Sequence, residues 1–202
     1  MLKTNAVNPW ENAKTINGLI ADEIVSMLQK AIRRGLETEA VDAAYELYLT
    51  SRELEHVMWR RLIMIAMEDV GFGDLQSTGI VYTYYQAKDL FERDSGDRQL
   101  PFVQAIRYLC RCSKERSSSY YQNLQELKYS RGYEINVPDY ALDKHTKRGK
   151  EMGRDTMFFY TDGDRVFPEH VDEEHLHTKE LKDRIMAEWR AILKAQNGAL
   201  DE

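Results

Sequence analysis

Apolar residues recur at helical spacing almost from the start of the chain. Ile16, Leu19, Ile20, Ile24, Met27, Leu28, Ala31 and Ile32 fall on one face of an amphipathic helix. Thr15 can cap its start, and Arg33 and Arg34 followed by Gly35 read as its stop, cations at the negative dipole end before a residue free to turn left-handed. A second helix runs through Val41, Ala44, Tyr45, Leu47 and Tyr48. A third opens at a Ser51 cap and continues through Val57, Met58, Leu62, Ile65 and Ala66 to Gly71. It is apolar on more than one face, which predicts a central helix with the hydrophobic centre between Leu54 and Met67.

Gly71, Gly73 and Asp74 interrupt the pattern before a fourth helical stretch from about Leu75 to Arg93. Its Thr78, Ile80, Val81, Tyr82, Thr83, Tyr84 and Tyr85 would favour a strand if considered alone. Pro101 suits the first turn of a helix carrying Phe102, Ala105, Ile106 and Leu109 and ending near Ser113. Ser117 to Ser119 precede a further helix with Tyr120, Tyr121, Leu124 and Leu127, which stops near Gly132. From Val137 the texture changes: Pro138, Gly149, Gly153, Gly163 and Pro168 crowd a loop-rich arm in which only Asp143 to Met152 has helical character. Leu176, Leu181, Ile185, Met186, Trp189, Ile192 and Leu193 then resume the spacing, so a final helix is expected to pack back onto the body. The pattern predicts one all-α domain: a polar lead over 1–14, a helical body over 15–136, a loop-rich basic arm over 137–171 and a C-terminal helix over 172–196.

Composition agrees with a folded, soluble domain: 202 residues, 43% hydrophobic and 31% charged, with a mean hydropathy of -0.60. No apolar run approaches the ~18 residues of a membrane span, and MLKTNAVNPWENAK lacks the apolar centre of a secretory signal. The cytoplasm is the expected compartment. Cys110 and Cys112 stand two apart, where side chains diverge on a helix or a strand, so neither a disulfide nor a zinc framework is expected.

Catalytic signatures are missing. There is no G-x-x-x-x-G-K-[ST] phosphate loop and no G-x-S-x-G elbow, and Gly71-Phe72-Gly73 follows a helix where a dinucleotide fingerprint needs a strand. His170, His175 and His177 lie among Glu169, Asp172, Glu173 and Glu174, but their spacing is not that of a metal helix, and carboxylates there complement a helix start. No enzyme activity, cofactor or metal is expected. What remains is charge. The net charge is -6, yet between Ala105 and Arg154 eleven Lys or Arg face six Asp or Glu. Lys144, His145, Thr146, Lys147, Arg148, Lys150 and Arg154 form the densest basic cluster. Arg60, Arg61, His145, Lys147, Arg148, Lys150 and Arg154 are the candidate phosphate contacts, with Tyr120, Tyr121 and Tyr140 available for stacking. Arg60 and Arg61 stand about two turns from Glu68 and Asp69, too far for pairing within one helix, so all four are expected to bond elsewhere.

Three stretches in order resemble the C-terminal domain of the MgsA/RarA family, the replication-associated recombination AAA+ ATPases related to clamp loaders. They are AIRRGLETEAVDAAYELYL, the more specific RRLIMIAMEDVGFGD with its R-R-L-x-x-I-A-x-E-D-x-G pattern, and Leu100 to Ser113 followed by Ser117 to Tyr121. VPDYALDKHTKRGKEMGRD is similar to the family's V-P-x-x-x-x-D-x-x-T region, and the likeness spans roughly residues 15 to 160. The resemblance implies an all-α domain that follows the ATPase module and assembles it into tetramers. Walker motifs, sensor arginine and lid domain are absent from this sequence, so ATP-driven DNA remodelling does not carry over. The expectation is therefore a non-catalytic oligomerisation protein, a homo-oligomer such as a tetramer, that partners or competes with a replication or repair ATPase and makes weak DNA contact. The alternative is an oligomer that sequesters a nucleotide or another phosphorylated metabolite.

Overall fold

The computed structural model describes residues 10–169 and 176–198, with side chains in the latter stretch from 179 to 196. It is all-α, as the spacing predicts, and divides into two compact units, Met1–Tyr133 and Glu134–Glu202. No described helix is long and apolar enough to cross a membrane.

The first unit is built on α1 (Ala21–Arg34), α2 (Glu37–Thr50) and α3 (Arg52–Ile65), which pack on one another, with α4 (Ser77–Ala87) and α5 (Leu100–Arg111) closing the core. α1 starts later than its apolar spacing suggests. Residues Ile16 to Ile20 form a turn closed by a Lys14–Ile20 bridge, because Thr15 Oγ1 accepts from Leu19 N while Gly18 takes φ +76°. Gly35 does end α1 in the left-handed region, and Ser51 does cap α3 by accepting from Leu54 N. Ala40, Ala43 and Ala44 let α2 approach its neighbours closely, and Phe102 on α5 meets Tyr45 edge-on at 5.2 Å. α3 supplies the centre as expected, burying Leu54, Met58, Trp59, Leu62 and Ile65.

The strand-favouring stretch is helical as α4, since Ser77 and Val81 point into the core one turn apart and Tyr85 meets Trp59 edge-on at 5.7 Å. The helix ends at Ala87 in a 3-10 turn, Lys88–Leu90, short of the expected Arg93. The chain from there to α5 is held by one carboxylate. Glu55, buried on α3, accepts from Arg93 Nε at 3.3 Å and Arg98 Nε at 3.0 Å, while Arg98 also donates to the carbonyls of Lys88 and Phe91.

α6 (Ser117–Ser130) takes Ser117 to Ser119 into its own first turn and buries none of its residues. In the second unit α7 (Lys147–Glu151) is shorter than the expected Asp143 to Met152, because Thr146 Oγ1 caps it by accepting from Gly149 N. α8 (Thr156–Phe158) leads into a π-helical turn, Phe159–Gly163, and α9 (Leu176–Gly198) follows. Lys182 on α9 pairs with Asp164 at 2.6 Å. On α9, Leu181, Ile185 and Ile192 are exposed, while Met186, Trp189 and Leu193 are half-buried.

Candidate functional site

The E-D-x-G segment is not a continuation of α3. Ala66–Val70 is a π-helical turn, in which Gly71 N donates to Ala66 O five residues back, and such turns are frequent at functional positions. Its Asp69 side chain is 0% exposed and takes cations from two directions: Arg33 Nε of α1 donates to Oδ1 at 2.7 Å, and Arg116 Nε at the root of α6 lies 3.0 Å from the same oxygen. Glu68 accepts from Arg116 Nη2 at 3.2 Å and lies 3.6 Å from Arg33. Gln29 Nε2 donates to both carboxylates at 3.0 Å, which turns its Oε1 toward Arg61 Nη1, 3.2 Å away. Two carboxylates, two guanidiniums and an amide thus tie α1, the π turn and α6 together, and a buried carboxylate is tolerated only when paired in this way.

The glycines beside this network admit the strand of chain between α5 and α6. A Cβ on Gly71, whose φ is +50°, would stand 2.6 Å from Glu115 O, and one on Gly73 would stand 2.3 Å from Ser113 O. The passing backbone bonds back, Glu115 N to Asp69 O at 3.0 Å, and Lys114 Nζ caps the end of α5 on the carbonyls of Leu109, Cys110 and Cys112. Asp74 accepts from Tyr108 Oη at 2.6 Å and from Gln76 N at 2.9 Å, bonds that hold its carboxyl below the usual range. Burial pushes the Cys110 thiol up to about 11 and raises Cys112 as well, so neither sulfur is primed as a thiolate nucleophile.

Arg61 bonds away from Glu68 and Asp69, to Gln29, and the acidic pair takes its cations from other helices. The two arginines line an open cleft of about 590 Å³ between α1 and α3, with Ser26, Gln29, Asp22 and Trp10 on its other walls. Sequence reasoning read Arg33 only as a helix stop and passed over Gln29 and Arg116, since each meets its partner tens of residues away. The family-like acidic pair was the one available signal that such cations existed.

The remaining candidates belong to the second unit. Asp143 is buried and accepts from His145 N at 2.9 Å and contacts His145 Nδ1 at 2.7 Å, contacts that lower its carboxyl pKa. A Cβ on Gly149 would fall 1.8 Å from Asp143 O, and Thr146 bonds that carbonyl too, so the V-P-x-x-x-x-D-x-x-T stretch makes a tight helix start. Arg154 is turned inward: it pairs with Asp139 at 2.5 Å, donates to the carbonyls of Asp139 and Leu142, and covers the Phe158 ring at 4.2 Å. It holds this unit together and does not stand with the other cations. Lys147, Arg148 and Lys150 are exposed on α7, Lys147 at 3.8 Å from Glu151. Tyr140 is exposed in the same unit, whereas Tyr120 and Tyr121 are exposed on α6 of the first. Glu169 is exposed, and the readings at His170, Asp172, Glu173, Glu174, His175 and His177 fall outside the described side chains.

The profile of the protein family described as MgsA AAA+ ATPase C terminal matches residues 41–191, about three quarters of the chain. No curated protein matches it at a significant level.

Proposed function

The chain belongs to the MgsA AAA+ ATPase C-terminal family, and on that footing we propose that it is a non-catalytic assembly module whose occupant of choice is a second copy of itself. The observation that supports this reading is α6. Tyr120, Leu124 and Leu127, at helical positions i, i+4 and i+7, are 60%, 52% and 54% exposed. A 14-residue helix with no buried side chain gains little from intrinsic propensity and is stabilised when its stripe is covered. Yet its root is fixed rigidly, because Arg116 is clamped by Glu68 and Asp69 and Ser117 bonds Glu115 through both N and Oγ. An anchored helix presenting Tyr and Leu has the makings of a subunit contact, where aromatic anchors dominate. The exposed stripe of α9 supplies a second such helix, 23 residues or about 34 Å long. Self-assembly through these stripes, as a tetramer in the way the family implies, would let the protein join or compete with a replication or repair ATPase of this kind.

Light scattering at micromolar concentration is expected to give a mass several times the 23.7 kDa chain. Leu124→Glu with Leu127→Glu should reduce it, with the melting transition of the first unit little changed, since both side chains already face water. A monomeric wild type would remove the reading.

DNA contact is a companion proposal, supported by Lys147, Arg148 and Lys150 exposed together on α7. Replacing all three by Gln is expected to weaken retention of single-stranded or forked DNA at low salt. It should also flatten the dependence of log K on log[salt] by about 0.7 for each phosphate that is no longer neutralised. Wild-type protein that passes through the DNA column unretained would end this proposal.

A further inference from the structure

The ion network leaves Arg60 and Arg61 unused, and their setting suits a ligand. Both lie on the cleft of about 590 Å³ between α1 and α3, a volume within the range of small-molecule sites. Arg61 is held in place by a neutral partner: Gln29 Oε1 accepts from it at 3.2 Å, and Gln29 is itself fixed by donating to Glu68 and Asp69. Those carboxylates are occupied by Arg33 and Arg116, so the anchoring orients Arg61 without a carboxylate at that contact. Arg60 stands exposed on the same wall, with Ser26 lining the cleft opposite. Among the described lining residues Asp22 is the one acid, and the apolar Val25, Val57 and Met64 complete the walls.

We propose that this cleft binds a small phosphate ester, its phosphoryl oxygens on the guanidiniums of Arg60 and Arg61 and a hydroxyl or amino group of its remainder on Asp22. Planar guanidiniums give paired, charge-assisted bonds to phosphoryl oxygens, and one held in position beforehand loses less freedom on binding. The inference is independent of self-assembly, because it uses neither α6 nor α9.

Inorganic pyrophosphate, ADP and ribose 5-phosphate are titrated by calorimetry into the full chain, with citrate as a carboxylate control. The expected result is binding of at least one phosphate compound in the micromolar to millimolar range, and weaker binding of citrate. Preference for ADP or for ribose 5-phosphate over pyrophosphate identifies a nucleotide or a sugar phosphate as the source. Arg60→Gln with Arg61→Gln is expected to weaken binding by about tenfold or more, the loss of at least one charge-assisted bond. Arg165→Gln, an exposed cation of the other unit with no part in the cleft, should leave it unchanged. Should the double variant fail to fold, Arg60→Glu alone, at an exposed position, is expected to give the same loss. No heat with any phosphate compound at millimolar concentration, equal binding by citrate, binding that survives the Arg60 and Arg61 changes, or loss on the Arg165 change would each overturn the proposal.

Discussion

Asp69→Ala is expected to lower the free energy of unfolding by about 3 kcal/mol, a large share of the roughly 5–15 kcal/mol of an ordinary domain. Its carboxylate is 0% exposed and meets Arg33, Arg116 and Gln29 at once, so removing it strands the donors of Arg33 and Gln29 and the charge of Arg116 around a vacated site. The cost belongs at the lower end of the range for broken buried pairs. Both guanidiniums are 28% exposed and can recover some hydration, and Glu68 remains within reach of each. Glu68→Ala removes the same charge from the same turn, but from a side chain 26% exposed, and should cost about 1 kcal/mol or less. Urea unfolding with unchanged slope separates the two variants. Equal costs would mean that burial of Asp69 is not what holds the π turn. If α6 is the subunit contact proposed above, the Asp69 variant, which loses the ion pair to Arg116 at the root of that helix, should also dissociate at concentrations where Glu68→Ala stays assembled.

Helix existence was legible in the sequence because it rests on local physics. The 3.6-residue spacing, Gly35 in the left-handed region, Ser51 as a cap and Pro101 in the first turn of α5 each act within a few residues. Periodicity misled where it met a turn: Ile16, Leu19 and Ile20 have helical spacing, yet Gly18 and Thr15 fold that stretch back on itself. The site was legible only in part. The Glu68–Asp69 pair announced buried charge, but its partners Arg33 and Arg116 come from helices that only the tertiary fold brings near, and a 3.6-residue pattern does not reveal a π turn. Arg154 shows the same limit from the other side. Its sequence neighbours are cations, whereas in space it meets Asp139, two carbonyls and Phe158. Amphipathicity shows that α6 and α9 have apolar faces, while what covers such a face depends on contacts far along the chain or on another molecule and leaves no mark on the spacing.

Leu62→Ala should cost about 2 to 5 kcal/mol, and Ile65→Ala a similar amount. Both side chains are 0% exposed on α3, which packs against α1, α2, α4 and α5, so the space left by the deleted carbons is bounded by a buried core already locked in place. Close-packed interiors relax only partly around such a void, and the van der Waals attraction forfeited there adds to the transfer energy of the deleted carbons. Met67→Ala lies two residues beyond Ile65 with its side chain 42% exposed, and should cost well under half as much. Chemical denaturation of the three variants decides the matter. If Leu62→Ala melted with the wild type, α3 would be removed from the core. A large loss of stability in Leu62→Ala with unchanged subunit mass below its transition, set beside unchanged melting and reduced mass in Leu124→Glu with Leu127→Glu, would place folding on α3 and assembly on α6.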